Sequence, residues 1–414
     1  MNIEDHPDEV RQKIAVLLLT HSYWPESSPP QRRWSAIVSE FRKQSWDVDV
    51  VTPVAHSPAE SRKAFAGIGG KVFRSQPGPN GERIHRVPFL PHGKRHLWRL
   101  VDQCFSALWT VPAGMFTRRA DVVIVTVPSL PMMAAGYLLA RLRRLPLVLE
   151  MRDAWPDLAR DARLVQGSVK SGFEIFADFV QRRADLVVTV TDGFADVLRS
   201  RGISNVATIS NGLHVSSLPA LPAPPLKREV FEALYLGNHG ESQNLETSIR
   251  ASAIVGDRMQ LHMVGSGSRK PLLQKLAREL GAPVTFHPSL HGQDVLDRYA
   301  SADTCIVSLR DDWKSFETTI PSKTYEVLAL GRHTTAMVLG EAARVISEAD
   351  AGDIVPNDPQ ALAGLWRGLA EDRTRLVRNG TSRAWVQNHA DYGVLSRRYM
   401  DLIRDLLALN GRAT

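Results

Sequence analysis

Twelve residues, Pro321-Ser322-Lys323-Thr324-Tyr325-Glu326-Val327-Leu328-Ala329-Leu330-Gly331-Arg332, place a cation and a carboxylate within the first turns of what reads as one helix. Pro321 and Ser322 are start signals, Tyr325, Leu328 and Ala329 recur at helical spacing, and Gly331 suits the stop. A helix start offers unpaired backbone N–H groups and the positive end of the dipole. Lys323 adds a full charge, and Glu326 lies about one turn in, where it can accept hydrogen bonds from ribose hydroxyls. The set suits a nucleotide diphosphate. A plainly capped helix with a solvated Lys and Glu has the same spacing, so the surrounding loops have to decide.

Other loops carry candidate chemistry. After an opening apolar strand at 14–19 comes Thr20-His21-Ser22-Tyr23-Trp24-Pro25-Glu26-Ser27-Ser28-Pro29-Pro30-Gln31-Arg32-Arg33, leading into a helix. Its backbone N–H groups and Arg32 or Arg33 could face a phosphate, or the loop could simply pack on Trp24. Arg152-Asp153 follows the strand at 147–151; Asp153 could orient or deprotonate a hydroxyl, or form a structural pair with Arg152. Gly237-Asn238-His239-Gly240 and Gly265-Ser266-Gly267-Ser268-Arg269-Lys270 each follow a strand and precede a helix, where glycine lets a backbone approach a ligand closely. Asp311-Asp312 lacks a third metal ligand, and Pro288 argues against the helix that would align His287 with His291 on a zinc ion. No metal site is expected.

The elements that must position these groups alternate between short apolar strands and amphipathic helices. Strands at 14–19, 48–51, 122–126, 147–151, 186–190 and 206–209 predict a parallel sheet covered on both faces, and strands at 233–236, 261–264, 284–286, 304–307 and 334–337 predict a second. Residues 218–227, Leu-Pro-Ala-Leu-Pro-Ala-Pro-Pro-Leu-Lys, can form neither helix nor central strand. The expected plan is an α/β chain of two Rossmann-like doubly wound domains facing each other across a cleft. It comprises a flexible tail at 1–11, a first domain at 12–215, a Pro-rich linker at 216–230, a second domain at 231–388, and a C-terminal helix within 389–414 packing back on the first domain. Such sheets bind ligands outside the carboxyl ends of their strands, so the cleft is the expected active site.

With 414 residues, 43% of them hydrophobic, the chain can bury two cores. Two cysteines, Cys104 and Cys305, point to a reducing compartment, and no apolar run is long enough to span a bilayer. A cytoplasmic protein is expected. The net charge of +7 is uneven: residues 61–144 hold fourteen Lys and Arg against three acids. Within that region, 94–119 has basic ends around Trp98, Leu100, Val101, Phe105, Leu108, Trp109, Met115 and Phe116. This composition fits a segment lying on an anionic membrane surface, peripheral to the inner face of the cytoplasmic membrane, and equally a core-facing helix with solvated flanks. No nucleic-acid-binding motif accompanies the charge.

Taken in order, the runs at 13–25, Arg152-Asp153-Ala154-Trp155-Pro156, Ile209-Ser210-Asn211-Gly212, 235–246, Val264-Gly265-Ser266-Gly267, 321–331 and 352–359 resemble the GT-B glycosyltransferases of family four, especially a bacterial polysaccharide and aminosugar-transferring branch. The resemblance implies retaining transfer of a sugar from a nucleotide diphosphate sugar, UDP-linked by preference, to the hydroxyl of an acceptor glycan, lipid-linked or soluble. It implies no metal and no cofactor beyond the sugar nucleotide as co-substrate, with the donor on the second domain and the acceptor on the first. By position, Glu326 matches a ribose-binding glutamate and Lys323 a diphosphate contact. Gly237, Asn238, Gly265, Gly267, Arg269, Thr318, Pro321 and Ser322 would line the nucleotide sugar, while Asp153, supported by Arg152, would sit near the acceptor hydroxyl with His21 and Trp24. The chain departs from the family at three places. Thr318, beside Glu317, stands where the first of two glutamates is expected; Glu241, Ser242 and Gln243 replace cations after the glycine loop; and Ser27, Ser28, Pro29 and Pro30 replace small glycines. A GT-B sugar-nucleotide epimerase and an inactive nucleotide-sugar-binding homologue are the alternative readings.

Overall fold

The protein, seen here as a computed structural model, is described over residues 13–26, 28–55, 72–90, 96–127, 129–152 and 168–411. Its first half runs β1 (Ala15–Leu19), α1 (Pro29–Lys43), β2 (Asp47–Pro53), β3 (Ser75–Pro77), β4 (Arg83–Val87), α2 (His96–Met115), β5 (Val122–Val127), α3 (Leu130–Arg143), β6 (Leu147–Met151), α4 (Ser168–Arg183), β7 (Leu186–Thr189), α5 (Asp192–Ser200) and β8 (Val206–Thr208). The second half runs β9 (Phe231–Leu236), α6 (Glu246–Val255), β10 (Met259–Val264), α7 (Lys270–Leu280), β11 (Val284–His287), α8 (Gln293–Ser301), β12 (Thr304–Ser308), α9 (Ser322–Leu330), β13 (His333–Met337), α10 (Gly340–Glu348), β14 (Gly352–Ile354), α11 (Pro359–Glu371), α12 (Thr381–His389) and α13 (Tyr392–Leu409). The chain forms two compact units, one of Met1–Arg152, Ile175–Val188 and Ser396–Thr414, the other of Asp153–Glu174 and Thr189–Leu395.

The first sheet has the order β3-β4-β2-β1-β5-β6-β7-β8. Its central strands β1 and β5 are almost wholly apolar, as a sheet covered on both faces requires, and all six residues of β5 are buried. Two strands of this sheet were absent from the sequence reading, as was β14 of the second. The short edge strand β3 runs antiparallel to β4, and β4 alternates: Arg83 and His85 reach Asp49 of β2 at 2.5 and 2.7 Å, while Ile84 is buried on the other side. Although burial raises the Asp49 pKa, these two partners hold its carboxyl below the usual range.

Helix α1 starts at Ser28, whose hydroxyl accepts the Gln31 N–H, and it buries Trp34, Ile37, Val38 and Phe41. Trp34 and Phe41 meet Tyr399 of α13 edge-on, with ring centroids 5.8 and 6.0 Å apart, so the C-terminal helix completes the first core. Arg33 does not face a phosphate. It is buried and spans 117 residues to the equally buried Glu150 of β6, with N–O distances of 3.2 and 3.3 Å. Burial and the adjacent Glu150 carboxylate push the Tyr399 hydroxyl well above its ordinary pKa.

The second sheet has the order β11-β10-β9-β12-β13-β14, parallel at every described pairing. Counted from β9 this is the doubly wound order 3-2-1-4-5-6, with the chain reversing direction across the sheet between β9 and β12. Trp366, Leu362 and Leu369 of α11 fill one side against Met259, Leu261 and Met263 of β10. The Pro-rich stretch is fastened to this unit by arginines: Arg332 donates to Pro222 O, Arg373 to Pro225 O, and Arg383 to Val215 O and Leu218 O.

Removing the cation from the Arg33–Glu150 pair strands a buried charge. We therefore expect Arg33→Met to cost about 3–5 kcal/mol in urea unfolding, and the double change Arg33→Met with Glu150→Leu to recover most of that loss. Equal stability of Arg33→Met and wild type would show that the pair contributes nothing.

Candidate functional site

The carboxyl edge of the second sheet is built from three loops bonded to one another. After β9, the Gly237 and His239 N–H groups donate to Val264 O and Ser266 O, at 3.0 and 2.9 Å, and Arg269 N–H donates back to His239 O at 2.9 Å. After β12, Arg310 N–H donates to Ser242 O at 2.9 Å, and the Ser308 hydroxyl to Gln243 O at 2.6 Å. The Tyr235 hydroxyl donates to Asn238 O at 2.7 Å, and burial raises its pKa. The loops of β9, β10 and β12 therefore form one preorganised rim at the point where strand order reverses.

The glycines of this rim answer first to the loops themselves. A Cβ on Gly265, whose φ is +136°, would fall 2.0 Å from Gly237 O, and one on Gly267 would fall 2.3 Å from His239 O. Close approach of backbone to backbone is what excludes a side chain. His239 is enclosed between these loops. Burial and the nearby Lys270 ammonium lower its imidazole to about 4, with the Val264 carbonyl opposing the shift, so the ring is neutral at neutral pH.

Helix α9 begins at Ser322 and ends on Gly331 at φ +74°, the left-handed cap that glycine allows. Lys323 Nζ donates to Glu326 Oε2 at 2.8 Å, so both groups of the opening motif share one face of its first turns; they are 38% and 24% exposed. Burial and the neighbouring Glu326 carboxylate raise the pKa of Tyr299 well above its ordinary value. Just upstream, Thr318 bonds its own turn through Ser315 O at 3.1 Å, and Glu317 is exposed.

The cations near the rim already have partners. Arg269 holds Glu246 at 2.6 Å, and Lys270 donates to Gly265 O and His287 O at 2.7 and 2.6 Å, stitching β10 to β11. Lys270 is thus a loop clamp. Arg310 was missed by sequence reasoning, although its place directly after the strand at 304–307 marked it. Its guanidinium lies 5.2 Å from the Trp313 ring centroid, bound to both oxygens of Asp312 at 2.7 and 2.6 Å and to Glu241 at 3.1 Å. Asp312 is therefore an arginine partner. His287 pairs with His262 at 3.0 Å, and His262 in turn with Glu232 at 2.7 Å.

In the first unit, His21 follows β1 and Arg152 follows β6, both at the carboxyl edge of that sheet. His21 Nε2 lies 3.6 Å from Oδ2 of Asp102 on α2, and Asp102 is buried with Oδ1 accepting the Leu90 N–H at 2.8 Å. The Trp24 carbonyl accepts from the buried Arg86, and burial lowers the Arg86 pKa to about 10. Asp153 lies outside the described residues.

Two measurements probe this rim. Gly267→Ala should unfold at lower temperature, whereas Gly364→Ala, in open space on α11, should raise stability by about 0.4–1 kcal/mol. Unaltered melting in Gly267→Ala would contradict the loop contact. For His239 the unfolded chain takes a proton at about 6.5 and the folded chain resists it to about 4. Nothing is lost above 6.5, and stability falls as pH drops through that window. His239→Gln should lack that part of the slope; a melting-temperature difference from wild type that stays constant across the window would count against the assignment.

Comparison with known proteins bears on both halves. A model of the glycosyl transferase 4-like domain matches residues 30–212, and one of the glycosyl transferases group 1 matches residues 231–372. No curated protein matches the chain by sequence at a significant level. Among solved structures, sucrose-phosphate synthase from Thermosynechococcus elongatus aligns with a TM-score of 0.71 at 16% identity, covering 96% of this chain and 100% of that one. HepE from Anabaena, in complex with UDP-glucose, aligns at 0.68 and 14% identity over 95% and 100%. A glycosyltransferase from Rickettsia africae aligns at 0.64 and 13% over 95% and 99%. At these identities the structural likeness speaks for the fold, and the two family models, end to end over most of the sequence, speak for the lineage. The chain belongs to the GT-B glycosyltransferases, with a 4-like domain followed by a group 1 domain.

Proposed function

We propose that this glycosyltransferase moves a sugar from a UDP-sugar to an acceptor hydroxyl with retention of anomeric configuration, in the synthesis of a cell-surface polysaccharide or glycoconjugate. The observation that carries the reading is the pairing of Lys323 with Glu326 on the first turns of α9, in the same unit as the interlocked glycine rim. The helix start and Lys323 attract the diphosphate, and Glu326, released from the lysine when the anion arrives, accepts the ribose hydroxyls. Gly237, Asn238, Gly265 and Gly267 border the nucleotide. Arg269, Pro321, Ser322 and Thr318 lie around it, and no metal is required in this scheme.

UDP fits best because the similar HepE structure holds UDP-glucose. Charge that develops on the departing diphosphate is met by groups already fixed in place, which lowers the barrier without reorganisation at the moment of reaction. The acceptor side is supplied by His21, Trp24 and Arg152 of the first unit, together with Asp153, which follows Arg152 in the chain. The acceptor glycan is lipid-linked or soluble, and the place of work is the cytoplasm, at the inner face of its membrane when the acceptor is lipid-linked.

The experiment is a panel of nucleotide sugars with detection of released nucleoside diphosphate and of product, run on wild type, Lys323→Ala and Glu326→Ala. Lys323→Ala should lower kcat by about a hundredfold or more with the fold intact. Glu326→Ala should raise the donor KM, and should lose discrimination between ribose and 2′-deoxyribose donors. A sugar altered without any acceptor would indicate epimerisation, and wild-type kinetics in Lys323→Ala would remove that residue from the reaction.

A further inference from the structure

Helix α2 is amphipathic with its polarity reversed. The residues it turns inward include Asp102, Ser106 and Thr110, one turn apart and almost wholly buried, with, among the described residues of the helix, only the small Ala107 and Gly114 buried beside them. Asp102 accepts the Leu90 N–H, Ser106 donates to Pro88 O at 3.1 Å, and Thr110 donates to Ser106 O at 2.9 Å. Near the end of the helix, Gly114 lies against Leu139 of α3, where an added Cβ would meet Leu139 Cδ2 at 2.3 Å. The outward residues are Trp98, Val101, Leu108, Trp109 and Met115, followed by Phe116; Trp98 is 54% exposed, Leu108 69% and Phe116 89%. Phe73, itself exposed, extends the surface by packing edge-on against Trp109 at 5.1 Å. Single exposed apolar side chains are ordinary, but a line of them along a 20-residue helix is not.

Charge decides what covers this face. Arg74, Arg118 and Arg119 are exposed at its margins, and among the described residues of 72–77 and 96–119 the one carboxylate, Asp102, is buried on the opposite side. A second copy of the chain would offer apolar surface but no anion from this face. We propose that the outward face of α2 docks on an anionic lipid bilayer, the helix lying along the interface with Leu108 and Phe116 in the acyl boundary and the arginines among the headgroups. No described helix is long and apolar enough to cross a membrane, which accords with a helix lying flat. Docking here deepens the proposed function by choosing a lipid-anchored acceptor, because the inner side of α2 carries the Asp102 that faces His21.

The test uses the full chain with vesicles of phosphatidylcholine alone and of phosphatidylcholine mixed with phosphatidylglycerol, at low and high salt, alongside UDP binding and sedimentation velocity without vesicles. Wild type should partition onto the anionic vesicles, and less so as salt rises. Leu108→Glu combined with Phe116→Glu should reduce that partitioning by about tenfold or more while UDP binding is unchanged, since both side chains are exposed and far from the rim in sequence. Arg118→Ala with Arg119→Ala should erase the preference for anionic over neutral vesicles. Wild type that ignores anionic vesicles, or a glutamate variant that partitions like wild type, overturns the proposal. So does a self-associated wild type that the glutamate variant converts to monomer without change in vesicle binding. Vesicle binding without UDP binding in wild type would fault the donor reading alone.

Discussion

The second unit depends on how closely three backbone loops approach at the point where its strand order reverses. Parallel strands bring the loops after β9, β10 and β12 to one edge, where their N–H and C=O groups need partners once the loops turn inward. They find them in each other: His239 with Ser266 and Arg269, Arg310 with Ser242, Ser308 with Gln243. That arrangement leaves no room for a Cβ at Gly265 or Gly267 and encloses His239 as a neutral ring. A rim fixed in this way can present N–H groups to an anion without first losing the conformational entropy of a mobile loop.

The same economy governs its charges. Lys323 rests on Glu326, Arg269 on Glu246, Arg310 on Asp312 and Glu241, and Lys270 on two carbonyls. An anionic ligand therefore competes with a resident acceptor for its cation. For the half-buried Arg310 and Arg269, whose partners still touch solvent, such competition costs less than it would in a core, because ion pairs near the surface are weakly held. Lys270 is different. Its two short bonds join Gly265 to His287, so withdrawing it would loosen the loop after β10. Lys323 is the cation best placed to change partners, since its present partner has a second task in the proposed donor contact.

Much of this organisation was legible in the sequence. The apolar strands, the helix with its glycine stop and the two-domain order follow from patterns that one segment carries by itself. What escaped were features set by partners distant in the chain. Strand β4 reads as polar because Arg83 and His85 answer to Asp49 on another strand, and Arg33 looked like a phosphate ligand because Glu150 lies 117 residues away. The glycines of the rim were visible, but their reason, contact between two loops, was not. Arg310 escaped because one of its partners, Glu241, lies 69 residues away on another loop.

Helix α2 shows where pattern reading fails in kind rather than in degree. Its apolar and basic residues were evident, yet periodicity alone assigns the apolar stripe to the core, because in most soluble helices burial of that stripe is what holds the helix in place. Here the polar stripe does the holding. Asp102 and Ser106 bind the backbone of the preceding segment, and Gly114 admits α3 to close contact. A helix secured from within by hydrogen bonds does not need its apolar face for folding. That face is left largely exposed by the unit that bears it, and in the proposed docking its aromatic and aliphatic side chains, edged by arginine, gain their burial when a partner that is both apolar and anionic meets it.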